Sequence, residues 1–186
     1  MPNRSYERFP GDRSKQEVLA SMLRVDHAGE YGAVRIYQGQ LDALRGQPDT
    51  QQEVQHMLAQ EQVHLTTFDA LLAARGVSPT KLQPLWHHAA YAMGWLTARL
   101  GAEAAMACTV AVEEVIDRHY QEQMDTLADL PEESELKATI AKFREEELEH
   151  RDLGLQQGAQ QAPLYPVLKA AVGAATRLAI FLSKRV

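Results

Sequence analysis

Apolar residues recur along this chain at the three- and four-residue spacing of an amphipathic helix, and no stretch shows the strict alternation of a half-buried strand. The pattern divides into six segments, near 15–46, 50–75, 82–100, 102–128, 132–158 and 164–184. The breaks have chemical causes: Gly46, Pro48 and Asp49 close the first segment, Gly76, Ser78 and Pro79 the second, and Leu130 and Pro131 the fourth. Pro163 and Pro166 open the last, while Gly101 either separates the third and fourth or only bends the chain between them. No linker is long enough to divide domains, so the expectation is a polar tail over residues 1–14 and one all-α domain over 15–186.

The informative positions are those where the apolar stripes are interrupted. Met57, Leu58, Leu65, Phe68, Leu71 and Leu72 define the inward face of the second segment, and Glu61 and His64 sit where that face should continue. In the fifth segment Leu136, Ile140, Phe143 and Leu153 leave the same gap for Glu147 and His150. Residues three apart lie about 60° apart around a helix and about 4.5 Å along it, so a carboxylate and an imidazole at that spacing can share one ion. Lone acids interrupt two other stripes, Glu30 in the first segment and Glu113 in the fourth, with Glu114 the one competitor for Glu113. One Glu-bearing helix plus one E-x-x-H helix, twice over, is the ligand set of a dimetal carboxylate centre inside a helical bundle. A third E-x-x-H, Glu53 and His56, has polar neighbours and reads as surface.

Burying four carboxylates without partners costs several kcal/mol each, against roughly 5–15 kcal/mol for the stability of a whole domain. The inward stripes carry no Lys or Arg, whereas two divalent ions would balance four glutamates. Oxygen- and nitrogen-rich ligation without thiolate suits iron or manganese. Composition narrows the classes further. A net charge of −6 argues against a nucleic-acid partner, and the single Cys108 excludes an internal disulfide and a cysteine-ligated cluster. From the residues alone, a ferroxidase, a rubrerythrin-like peroxidase and a noncatalytic lipid-binding bundle all remain open beside a monooxygenase.

Three strings carry a closer resemblance: R-V-D-H-A-G-E-Y-G-A at 24–33, A-M-A-C-T-V-A-V-E-E at 105–114 and F-R-E-E-E-L-E-H-R-D at 143–152. They resemble the demethoxyubiquinone hydroxylase family, the di-iron monooxygenases of ubiquinone biosynthesis, over about residues 15–186. The resemblance implies a ferritin-like bundle of about six helices, four of them supplying ligands to two iron ions. It implies hydroxylation of a polyprenylated demethoxy-benzoquinol or benzoquinone with dioxygen. Glu30, Glu61 and His64 would then hold one iron and Glu113, Glu147 and His150 the other, with Glu61 and Glu147 bridging. It also implies an external reductant such as NADH, and leaves room for a lipid-binding helper protein and a homo-oligomer. Mitochondrial members carry a transit segment that Met1–Lys15 does not resemble, so the expected location is peripheral, on the cytoplasmic face of a bacterial inner membrane.

Other features fit a lipid-like substrate. Gly29 and Gly32 flank Glu30 within a helix, where each costs about 1 kcal/mol relative to Ala, and Ala28 and Ala33 extend the small-residue strip. Ala102, Ala104, Ala105, Ala107, Cys108, Thr109 and Ala111 do the same before Glu113, which suggests a path for a flat ring along both faces. The third segment holds both tryptophans and falls short of a transmembrane span; the last sets Lys169, Arg177, Lys184 and Arg185 beside an apolar face suited to anionic headgroups. No dinucleotide-binding turn is present, so electrons come from outside. Tyr120, seven residues after Glu113, and His119 are the candidate catalytic relay; Asp26 and Asp152 are candidates to orient a ligand imidazole.

Overall fold

The computed structural model describes residues 13–186, so all but the end of the expected polar tail lies outside the described residues. Six helices follow the breaks read from the sequence: α1 (Lys15–Ala43), α2 (Pro48–Arg75), α3 (Gln83–Arg99), α4 (Ala102–Leu127), α5 (Ser134–Gln156) and α6 (Tyr165–Ser183). Single 3-10 turns at Pro131–Glu133 and Ala159–Gln161 precede α5 and α6, and no strand occurs among the described residues. A reciprocal capping box starts α1: the Glu17 amide donates to Ser14 Oγ at 3.1 Å while the Ser14 amide donates to the Glu17 carboxylate at 2.6 Å. Gly101 does more than bend the chain. Its φ of 124° lies where a side chain is disfavoured, and α3 ends there.

The architecture is the all-α bundle expected. α1 packs along α2 and α4 along α5, while α3 covers α1 and α6 covers α4. Among the described residues buried apolar side chains form three clusters, a small one around Ile36, Cys108 and Val172 and two larger ones stacked along the bundle. One holds Tyr37, Leu44, Met57, Leu58, Met106 and Val110; the other holds Leu23, Phe68, Leu72, Leu127, Ile140 and Phe143. The residues between them in all four core helices are the interrupted positions of the stripes, so a polar layer lies between two apolar ones.

Glycines set how closely the covering helix approaches. A Cβ on Gly94 would lie 2.0 Å from the Ile36 carbonyl oxygen, and one on Gly39 would lie 2.3 Å from that of Tyr91, so α1 and α3 meet almost backbone to backbone. No flexible side chain can yield there. Gly94→Ala is expected to force the helices apart at a cost of about 3 kcal/mol, lowering the melting temperature by roughly 6–12 °C in a chain of this size. An unchanged thermal melt would contradict that close crossing.

Candidate metal centre

The four core helices bring Glu30, Glu61, His64, Glu113, Glu147 and His150 into one layer, each no more than 3% exposed. α1 contributes Glu30, α2 the Glu61–His64 pair, α4 Glu113 and α5 the Glu147–His150 pair. His64 Nδ1 lies 3.3 Å from Glu30 Oε2, 3.2 Å from Glu147 Oε1 and 3.8 Å from Glu61 Oε2. His150 Nδ1 lies 3.2 Å from Glu61 Oε1 and 3.1 Å from Glu147 Oε2. Glu61 and Glu147 therefore each turn one oxygen to one imidazole and the other oxygen to the second. Two groups result, Glu30–Glu61–His64–Glu147 and Glu61–Glu113–Glu147–His150, with all ligand atoms of each within 4.8 Å of one another.

Apart from the His150–Glu147 hydrogen bond, these donors converge without satisfying each other. Glu30 Oε2, both Glu61 oxygens and His64 Nδ1 are buried and lack a hydrogen-bond partner. Buried polar atoms without partners are costly, and here they face a common space, which is what metal ligands do and hydrogen-bond networks do not. The donor set of carboxylates and imidazoles is one that suits iron, so the residues fit the dimetal centre expected of them.

The charge balance of the protein alone supports the same conclusion. Burial, reinforced by the neighbouring Glu61 and Glu147, pushes the Glu30 carboxyl well above its ordinary range, and burial with the same two neighbours does so for Glu113. Burial opposes protonation of His150, but the Glu147 and Glu61 carboxylates outweigh it and push its pKa up to about 11. His64 is pushed up in the same way by Glu147, Glu30 and Glu61, and Glu61 is held low because the facing imidazoles outweigh its burial. These shifts favour protonated groups in the layer as long as no cation balances its charge.

A tyrosine steadies each lone glutamate. Tyr37 Oη on α1 donates to Glu113 Oε1 at 3.0 Å, and Tyr120 Oη on α4 donates to Glu30 Oε1. Each tyrosine follows its own helix's glutamate by seven residues, so α1 and α4 exchange the same contact in both directions. The register continues outward: Gln123 Nε2 donates to Asp26, and Gln40 Nε2 reaches the Ala105 carbonyl at 3.1 Å and Thr109 Oγ1 at 3.5 Å.

The structure sorts the other sequence candidates. Glu114 turns outward to Lys169 at 2.5 Å, leaving Glu113 inward, and His56 of the third E-x-x-H is exposed. Tyr120 touches Glu30, whereas His119 stands one layer away, 3.3 Å from Asp26 and 2.8 Å from Gln123. Asp26 and Asp152 do not orient a ligand imidazole. Asp26 is buried against His119 and Gln123, and Asp152 pairs with Arg151 at the surface. The imidazole partners are instead Glu146, 2.7 Å from His64 Nε2, and Gln60, 2.9 Å from His150 Nε2. Sequence reading left Glu146 between solvent and a place behind the ligands and missed the roles of Gln60 and Tyr37, although spacing carries the signal: Gln60 and Glu146 directly precede Glu61 and Glu147, and Tyr37 matches Tyr120.

An apolar cavity of about 150 Å³ lies between α1, α3, α4 and α6. Ala28, Gly29, Gly32 and Ala33 line it, and a Cβ on Gly32 would meet nothing within 4 Å. On the α4 side the expectation fails: Val112 and Ile116 line the cavity, while Ala104, Ala105 and Ala107 are packed into the core.

The family described as "Ubiquinone biosynthesis protein COQ7" matches residues 17–183. The chain belongs to the COQ7 family. A protein named 3-demethoxyubiquinol 3-hydroxylase from Rhodospirillum rubrum is 56% identical over 180 residues, spanning 97% of this chain and 84% of that one. The human protein named NADPH-dependent 3-demethoxyubiquinone 3-hydroxylase, mitochondrial, is 48% identical over 176 residues, 94% of this chain and 81% of its own. The Saccharomyces cerevisiae protein named 5-demethoxyubiquinone hydroxylase, mitochondrial, is 39% identical over 182 residues, 90% of this chain and 78% of its own. Similarity to the COQ7 family therefore runs across all six helices.

Because the metal-free layer favours protonated groups, metal binding is expected to displace protons. The proton-loaded form gains as pH falls, so metal affinity is expected to fall with pH through the neutral range. Calorimetric titration of the metal-free chain with Co²⁺ in buffers of different ionisation heat should show two ions bound and net proton release; binding without proton release would contradict this charge balance.

Proposed function

We propose that this COQ7-family chain uses the six-residue layer to hold two irons and hydroxylates the ring of a polyprenylated demethoxy-benzoquinol or benzoquinone. The observation that carries the reading is the cluster of partnerless buried donors in a hydroxylase family. What irons supply when bound there is dioxygen reduction: one oxygen atom enters the ring and the other leaves as water, with two electrons drawn from outside the chain. Relatives are named NADPH-dependent, and the reductant proposed here is a reduced nicotinamide nucleotide or a partner it reduces.

The chain's own residues do the rest. Tyr120 and Tyr37 donate hydrogen bonds to Glu30 and Glu113 and fix the outer carboxylates. Burial and the nearby carboxylates raise both phenols well above their ordinary range, so they stay protonated and remain donors. The hydrogen bond of Tyr120 to Glu30, with its neighbour His119 in the buried Asp26–His119–Gln123 group, supports the proposal that Tyr120 and His119 relay a proton toward the reacting ring. Gly29, Gly32 and Ile116 line an apolar slot, with Gly29 and Val112 the chain neighbours of Glu30 and Glu113, and this slot is the proposed seat of the flat ring. This slot favours a lipid-like substrate over the ferroxidase and peroxidase readings, which need no such space.

The substrate's isoprenoid tail calls for a membrane, and the two helices that cover the slot are suited to one. Leu85, Trp95 and Leu96 on α3 and Val167, Leu178 and Phe181 on α6 are all exposed. α6 is 19 residues long and apolar enough by length and composition to cross a bilayer, a test the third segment was read as failing. It packs on α4 through Val172 and Gly173, with Lys169 paired to Glu114, so we read it as lying on the surface rather than spanning. The expected basic stripe is correspondingly narrower: Lys169 is neutralised, while Arg177 is exposed. All six candidate ligands come from this one chain.

Gly32→Leu should fill the slot while two metals remain bound, and product formation from a demethoxy-quinol should fall by at least about tenfold, corresponding to 1.4 kcal/mol. Normal turnover would refute that route. The double variant Trp95→Glu/Phe181→Glu should lose co-sedimentation with anionic phospholipid vesicles; retained binding would refute the membrane seat.

A further inference from the structure

The two halves of the metal layer are built from the same set of residues, although His64 Nδ1 also lies 3.3 Å from its lone Glu30 and only His150 Nδ1 hydrogen-bonds Glu147. Each half has its own imidazole and lone glutamate and shares Glu61 and Glu147 with the other. Each lone glutamate accepts from one tyrosine. Both imidazoles present Nδ1 to the carboxylates and Nε2 outward. The halves differ in chemical type at the atom that receives Nε2–H. For His64 it is a carboxylate oxygen, Glu146 Oε2 at 2.7 Å; for His150 it is a neutral amide oxygen, Gln60 Oε1 at 2.9 Å. These two residues occupy equivalent places, each directly before the shared glutamate of its own helix and each reaching across to the histidine of the other. Lys142 Nζ lies 3.5 Å from the other oxygen of Glu146 and helps to orient that side chain.

A carboxylate that accepts the outer N–H of an imidazole makes the inner nitrogen a stronger donor, and such partners typically change metal affinity 10–100-fold. We infer that Glu146 and Gln60 make the two metal positions unequal, so that the position of Glu30, Glu61, His64 and Glu147 fills first and holds its ion more tightly. The inference rests on the dimetal reading above and adds an order of loading to it. Glu146 and Gln60 are positioning residues: they act through the histidines and do not touch the ion.

The test uses the full metal-free chain and Co²⁺, followed by visible absorption and calorimetry, and crystals grown with one equivalent and measured at the cobalt absorption edge. Wild type should bind two ions in steps separated by about tenfold or more, with the first equivalent beside His64. Glu146→Gln should weaken the first step until the two merge. Gln60→Glu should tighten the second. The double swap Glu146→Gln/Gln60→Glu should reverse the order and place the first ion beside His150, which loss of packing cannot imitate. Two equal steps in wild type, or an unchanged order in the double swap, would overturn the inference and leave the dimetal reading intact. Failure of wild type to bind Co²⁺ would overturn the dimetal reading itself, and the inference with it.

Discussion

Four carboxylates and two imidazoles share a layer that water does not reach, between two apolar clusters of the same bundle. Ionised carboxylates in such a place repel one another and have lost their hydration, so the fold can hold them only if positive charge enters with them. Much else in the molecule serves that constraint. The protein alone meets it with protons, raising Glu30, Glu113 and both histidines together. A pair of cations would meet it as well, and the partnerless oxygens of Glu61 and inner nitrogen of His64 are suited to receive them.

Holding the layer together requires the helices to be correctly registered, and the contacts between α1 and α4 supply this. Glu30 with Tyr120 and Tyr37 with Glu113 are one contact used in both directions, so a slip of either helix would break both. Gln40 and Gln123 extend the register outward. The covering helices have a different task. α3 approaches α1 so closely at Gly39 and Gly94 that their backbones touch, yet beside Gly32 the same pair leaves open space. The same pair of helices thus combines rigid contact at one level with an open apolar slot at another.

Most of this was legible in the chain because helix period and polarity are local signals. The six segments and the six inward polar residues follow from spacing alone, since an acid on an apolar stripe must face the core. What stayed hidden depends on contacts between helices. Asp26 and Asp152 looked suited to orient a ligand histidine because they lie near one in sequence, but the partners are Glu146 and Gln60, each brought across from another helix. The alanines before Glu113 looked like space and proved to be close packing, because small residues signal both and only the neighbouring helix decides which. Gly101 was ambiguous for the same kind of reason: whether a glycine bends or ends a helix depends on its φ, which spacing does not record.

The most direct test of the account is anomalous X-ray diffraction at the iron absorption edge, on crystals of the chain produced with iron. The account predicts two iron peaks per chain within the layer, one beside Glu30 and His64, the other beside Glu113 and His150, with Glu61 and Glu147 reaching both. A single peak, or iron bound elsewhere while these six side chains hydrogen-bond only to one another, would contradict it.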